Sequence, residues 1–213
     1  VVTLTFNIIN SADTSFTSVT ACDPYTWNGT TYNSTGTYIF NGTPNLSESY
    51  LLLSRYDGDQ KEGIVELVDL MNFKVLHSWN PDIDEFNKLV KKVDDFKYLD
   101  RDSSNRRYTM RHPILLKDGG LVFKHNSPLR KIDACSNLIF QNEHDQFFAS
   151  IETDIEGNIW VPSHMYPQSL PIQKVGRKTK HEKGYYDDAI VKLSPEGEIL
   201  FEKSISQIFI DNG

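Results

Sequence analysis

Three histidines stand beside segments that read as strand ends. His112 lies between Arg111 and Pro113, His125 is followed by Asn126 after Leu121-Val122-Phe123, and His164 follows Trp160-Val161-Pro162-Ser163. A neutral imidazole carries a lone pair and can act as a nucleophile, and the same ring shuttles protons near neutral pH. An arginine such as Arg111 offers paired N–H donors to anionic oxygens. These residue types suit the binding of a small anion and the transfer of a group through histidine. A plainer role stays open at each position: His112 as a loop residue packed at a sheet edge, His125 and His164 as turn residues.

Other clusters are weaker. His77 shares a segment with Trp79 and reads as packing. Glu143-His144-Asp145 reads as a water-facing loop; no metal site and no cofactor are expected. Asp57-Gly58-Asp59 opens like a calcium loop but lacks the remaining ligands and the distal glutamate. Lys174, Arg177, Lys178, Lys180, His181 and Lys183 form the one basic run, a solvated loop or a lure for anionic substrates. Cys22 and Cys135 have no metal-ligand spacing; they read as unpaired thiols, or as a disulfide in an oxidising compartment.

The elements that must position the histidines are hairpins. Ile114–Phe123 turns at Asp118-Gly119, Ile151–Val161 at Glu156-Gly157, and Ile190–Phe201 at Glu196-Gly197. Leu129–Phe140 turns near Ser136, and Ile64–Leu76 near Asn72. Acidic-Gly turns between aliphatic runs predict antiparallel pairs. Two hairpins make a four-stranded sheet, and sheets recurring every 40 to 50 residues are the pattern of a β-propeller. The fold expected is all-β: a partial propeller of four-stranded blades. Between Asp82 and Leu99, the apolar residues Ile83, Phe86, Leu89, Val90, Val93 and Phe96 follow helical spacing after an Asn80-Pro81-Asp82 start signal, so a short inserted helix is expected. Met165–Asp188 reads as an inserted loop.

The first 45 residues differ in composition. They hold no Lys or Arg and are rich in Thr, Ser, Asn and Gly, whereas charges and long aliphatics run throughout the chain from Tyr50 onward. A boundary at Asn41–Asn45 divides an N-terminal β-segment (1–45), hairpin- or sandwich-like, from the propeller-like part (46–213). In the first part, Ser18–Cys22, Tyr25–Trp27, Thr30–Tyr32 and Gly36–Phe40 read as strands, with Asn28-Gly29 as a hairpin turn. Sequons at Asn28, Asn33, Asn41 and Asn45 are attributed to the Asn/Thr-rich composition. Across the 213 residues the net charge is −7, which argues against a general nucleic-acid binder yet leaves room for a small anion in a local basic pocket. No apolar run reaches the length of a membrane span. The strand-like start and turn-like finish give the expectation of a segment from a longer protein.

Five stretches carry a family resemblance: Tyr50–Asp59, Val75–Asp82, His112–Leu121, Asn126–Asp133 and Ser150–Pro162. Their order and spacing resemble bacterial arylsulfotransferases of the propeller type. The resemblance implies PAPS-independent transfer of a sulfuryl group from a phenolic sulfate ester to a phenol, by way of a sulfated histidine. It implies small aryl sulfate and phenol partners, no cofactor, and a periplasmic, cell-surface or secreted setting. His112 and His125 are the catalytic candidates it suggests, with Arg111, Asn126 and His164 as substrate contacts. The family commonly carries histidine just before the Ser-Ile-Glu strand, where this chain reads Phe147-Phe148-Ala149-Ser150. Ala149 therefore replaces an expected histidine, and the chain is expected to be inactive by itself. The alternative is a non-catalytic binding module of a secreted or surface protein. Cys22–Tyr38 separately resembles tandem repeats of bacterial surface adhesins.

Overall fold

The computed structural model describes residues 2–9, 14–21, 24–27, 30–34, 36–40, 49–96, 99–125, 127–144, 147–148, 150–165, 167–169 and 187–212. The N-terminal strands are β1 (Val2–Ile9), β2 (Thr14–Ala21), β3 (Tyr25–Trp27), β4 (Thr30–Tyr32) and β5 (Gly36–Phe40). They form a three-stranded sheet in the order β2-β1-β5, with β5 parallel to β1, and a separate β3–β4 hairpin in which Trp27 pairs with Thr30. The expected hairpin is therefore present. The expected boundary at 41–45 lies outside the described residues.

Three antiparallel sheets follow, one of three strands and two of four. The first holds β6 (Tyr50–Asp57), β7 (Glu62–Asp69) and β8 (Lys74–Trp79). The second runs β9 (Ile114–Leu115), β10 (Leu121–Phe123), β11 (Leu129–Ile132) and β12 (Leu138–Asn142), paired in sequence order. The third runs β13 (Glu152–Thr153), β14 (Ile159–His164), β15 (Asp188–Leu193) and β16 (Ile199–Ser204) in the same way. The chain is thus mostly β, with one three-stranded sheet followed by two four-stranded sheets, consistent with a partial propeller.

One turn design recurs four times. The N–H of Leu116, Asp133, Asp154 and Ser194 donates to the carbonyl four residues on, and the residue three along returns a bond to the starting carbonyl. That returning residue has positive φ: Gly119 at 80°, Ser136 at 67°, Gly157 at 85° and Gly197 at 87°. Glycine adopts this conformation without a Cβ penalty, and Ser136 manages it while its Oγ accepts the Asn80 N–H at 3.0 Å. Asp133, Asp154 and Ser194 use a side-chain oxygen to take two backbone N–H groups inside their turns. Gly197 has a second duty, because a Cβ there would sit 2.5 Å from the Phe140 ring of the second sheet.

Alternation along each strand supplies the cores between sheets. Val65, Trp79, Leu121, Phe123 and Ile132 join the first sheet to the second, with Ile83, Phe86, Tyr108 and Met110 of the inserted segment. Val122, Leu129, Ile159, Val161, Val191 and Leu193 join the second to the third. The two faces of β10 thus serve different interfaces.

The insertion after β8 corrects the expectation of one helix. It breaks into α1 (Ile83–Lys88), a 3₁₀ turn at Val93–Asp95 and α2 (Leu99–Asp102). Asp82 caps α1 as expected, accepting the Glu85 N–H at 3.1 Å. The break has a tertiary cause: the Glu143 carboxylate takes the backbone N–H groups of Lys91 and Lys92, donors a continuing helix would need. Ile83, Phe86, Val90 and Phe96 are buried, whereas Leu89 and Val93 face solvent. A further helix, α3 (Ile205–Asn212), follows β16.

Cys135 is disulfide-bonded, and there is no free cysteine among the described residues. This settles the sequence alternatives in favour of a disulfide. Cys22, the chain's only other cysteine, lies outside the described residues. Among the described residues no helix is long and apolar enough to cross a membrane.

Candidate functional site

Strand pairing gathers several predicted residues at one end of the second sheet. β9 runs against β10 with Ile114 opposite Val122, so Arg111 and His112 before β9 lie beside Lys124 and His125 after β10. Leu129 pairs with Asn142, which brings the start of β11 and Glu143 to the same end. The connection 143–151 leaves β12 there and enters β13.

His125 sits on the five-residue link between β10 and β11. Its Nδ1 is shielded from solvent and has no hydrogen-bond partner among the described residues. Burial pushes its pKa below the ordinary 6.5, the Arg111 and Lys124 charges push it further down, and Asp102 opposes them. The imidazole is therefore held neutral at pH 7, with a lone pair beside two cationic side chains. That combination lets a nucleophile or base coexist with groups that attract an anion.

The link is pinned from below by the inserted segment. Tyr108 is 1% exposed, and its ring stands edge-on to Phe123 and to His125, with centroids 5.9 and 5.7 Å away. Its hydroxyl lies 3.1 Å from Ser127 Oγ. Burial pushes the phenol up to about 12, so it stays protonated. The buried Lys124 donates to the Ser127 carbonyl at 2.7 Å and closes the link on itself.

Arg130, on β11, is completely buried. Its Nη2 donates to Asn87 Oδ1 at 2.8 Å and its Nε to Gln141 Oε1 at 3.2 Å, while the guanidinium lies over Phe86. Nη1 has no partner among the described residues. Burial lowers its pKa to about 10, which still leaves it charged at neutral pH. Arg130 thus ties α1 to the sheet.

The remaining predicted residues divide. His112 is exposed and has φ of 45°, a conformation uncommon for a residue with a Cβ. Arg111 is also exposed. His164 stands on the third sheet, where Nδ1 lies 3.0 Å from Asp188 Oδ1 and the ring meets Phe148 edge-on at 4.4 Å. Asn126, Ala149 and the basic run from Lys174 to Lys183 lie outside the described residues.

His77 packs, as expected: its ring stands edge-on to Trp79 and its Nε2 lies 2.8 Å from the Ala134 carbonyl. His144 stacks on Phe147. Asp57 serves its turn, accepting the N–H groups of Asp59 and Gln60.

With this geometry in place, the comparison with known families bears on the C-terminal part of the chain. Residues 112–213 match the arylsulfotransferase (ASST) family. The arylsulfotransferase-like segment begins at His112 and takes in His125, Arg130 and the whole third sheet. Tyr50–Asp59 and Val75–Asp82, which also carry the resemblance in sequence, lie before it. No curated protein matches the chain. No solved structure matches it.

Sequence reasoning missed Tyr108, Lys124, Asp102 and Arg130. Lys124 had a signal, since it stands beside His125 at the end of an apolar strand. Tyr108 and Asp102 had none, because only the path of the insertion brings them to His125.

Proposed function

We propose that this arylsulfotransferase-like chain takes aryl sulfate esters at the end of the second sheet and serves sulfuryl transfer to a phenol through histidine. The observation that carries the reading is His125: a neutral imidazole, beside Arg111 and Lys124, whose shielded Nδ1 has no partner among the described residues. In the reaction proposed, an imidazole nitrogen forms a bond to sulfur as the S–O bond to the aryl group breaks, and the electron pair leaves as phenolate. An acceptor phenol then attacks sulfur, the N–S bond breaks, and the acceptor's proton passes to a base. Arg111 and Lys124 balance the sulfate charge, and His112 is the adjacent proton carrier. The disulfide at Cys135 supports a periplasmic, cell-surface or secreted setting.

Ala149 stands where the family resemblance leads one to expect histidine, and alanine can be neither nucleophile nor base. The test is sulfuryl transfer from an aryl sulfate to a phenol, measured for the chain and for Ala149→His. Turnover gained only with histidine supports a sulfotransferase disabled at this position. Aryl sulfate binding without turnover in either form supports the second reading, a non-catalytic binding module, which Ala149 itself favours. Neither binding nor turnover in folded protein overturns both.

A further inference from the structure

We infer that Tyr108 is a positioning residue for His125, so that the inserted segment 80–110 is a working part of the site. The inference rests on the proposed role of His125 for its functional meaning, but its geometry stands independently.

Tyr108 lies 17 positions before His125 and outside every strand, yet two contacts lead from it to the link. Its ring stands edge-on to the imidazole and its hydroxyl meets Ser127 Oγ. A five-residue connection met on both His125 and Ser127 by one buried phenol has little freedom to turn its histidine outward. Tyr108 is held in turn by backbone packing: a Cβ at Gly63 would lie 2.0 Å from the Tyr108 carbonyl oxygen. The chain before β9 is therefore pressed onto β7, and glycine at position 63 is what lets it approach.

The same insertion supplies charge. Among the described residues, Asp102 of α2 is the acid that acts on His125, and it is shared with Arg101 and Arg107. Arg111 and Lys124 face the imidazole from the other elements, and the Tyr108 phenol faces it uncharged. Removing the hydroxyl while keeping the ring frees the link, exposes the imidazole to water and weakens the desolvation that keeps it neutral.

The experiment is histidine-selective NMR titration of the full chain, comparing wild type with Tyr108→Phe and Ser127→Ala. The assignment of His125 comes from His125→Gln. The midpoint of His125 is expected to rise toward that of an exposed histidine in Tyr108→Phe, and by a smaller amount in Ser127→Ala. An unchanged His125 midpoint in folded Tyr108→Phe overturns the inference. If Tyr108→Phe does not fold, Ser127→Ala decides alone by the same criterion. The readout needs no substrate, so a chain that neither binds nor turns over aryl sulfate would sink the functional reading and leave this test standing.

Discussion

The second and third sheets share one plan but place their histidines differently, His125 on a short connection and His164 at the end of β14 before a long one. In the second, β10 and β11 are joined by five residues, closed by Lys124 and seated on Tyr108. In the third, β14 and β15 are joined by residues 165–187, whose feet are pinned by Asp187. That carboxylate is 1% exposed and accepts Ser169 N, Ser169 Oγ and Ser204 Oγ at 2.5 to 2.7 Å. Burial alone would raise its pKa, but the serine donors outweigh it and hold the carboxyl below its ordinary range. His125 thus sits among cations, its Nδ1 without a partner among the described residues, whereas His164 faces a carboxylate. A short link lets an inserted segment shape the histidine's surroundings; a long one must first be anchored to itself.

The comparison breaks most readily at Asp187. Asp187→Ala leaves three donors without their shared acceptor, and should cost about 2–4 kcal/mol in denaturant unfolding. A loss under about 0.5 kcal/mol, the range of ordinary surface changes, would mean that the feet of the long connection are held by something else. A middling effect is expected from pH. Because the folded pKa of His125 is depressed, the unfolded chain binds more protons, so stability is full above 6.5 and falls as pH drops through the folded value. His125→Gln should remove that increment of acid sensitivity from Tm measured across this window, and identical slopes would contradict the neutral, desolvated imidazole. The smallest effect is expected at Asp188, whose side chain is 70% exposed. Asp188→Asn should cost below about 1 kcal/mol and lose even that at high salt. A larger or salt-insensitive loss would show that the two histidines are more alike in burial than described.

Legibility in the sequence followed locality. The hairpins could be read because Asp118-Gly119, Glu156-Gly157 and Glu196-Gly197 write their turns in adjacent residues, and the grouping into four-stranded sheets followed from their spacing. The single helix expected over Asp82–Leu99 failed because Glu143, some fifty positions on, takes the donors of Lys91 and Lys92. Arg111, His112 and His125 were recognisable as strand-end residues, and the pairing of β9 with β10 joins them. What makes His125 unusual was not legible: Tyr108 and Asp102 reach it through the fold of the insertion. Arg130 was hidden too, since Leu129-Arg130-Lys131-Ile132 does not announce which cation is buried.

The recurring turn also bears on the order in which the molecule assembles. Each copy is closed by bonds between residues at most four apart, and hairpins of this kind form within microseconds. The Tyr108–Ser127 contact beneath His125, and the Arg130–Asn87 bond that ties α1 to the sheet, instead wait for longer loops to close. The turns are expected to close early in folding, and the end of the second sheet that holds His125 to be completed later.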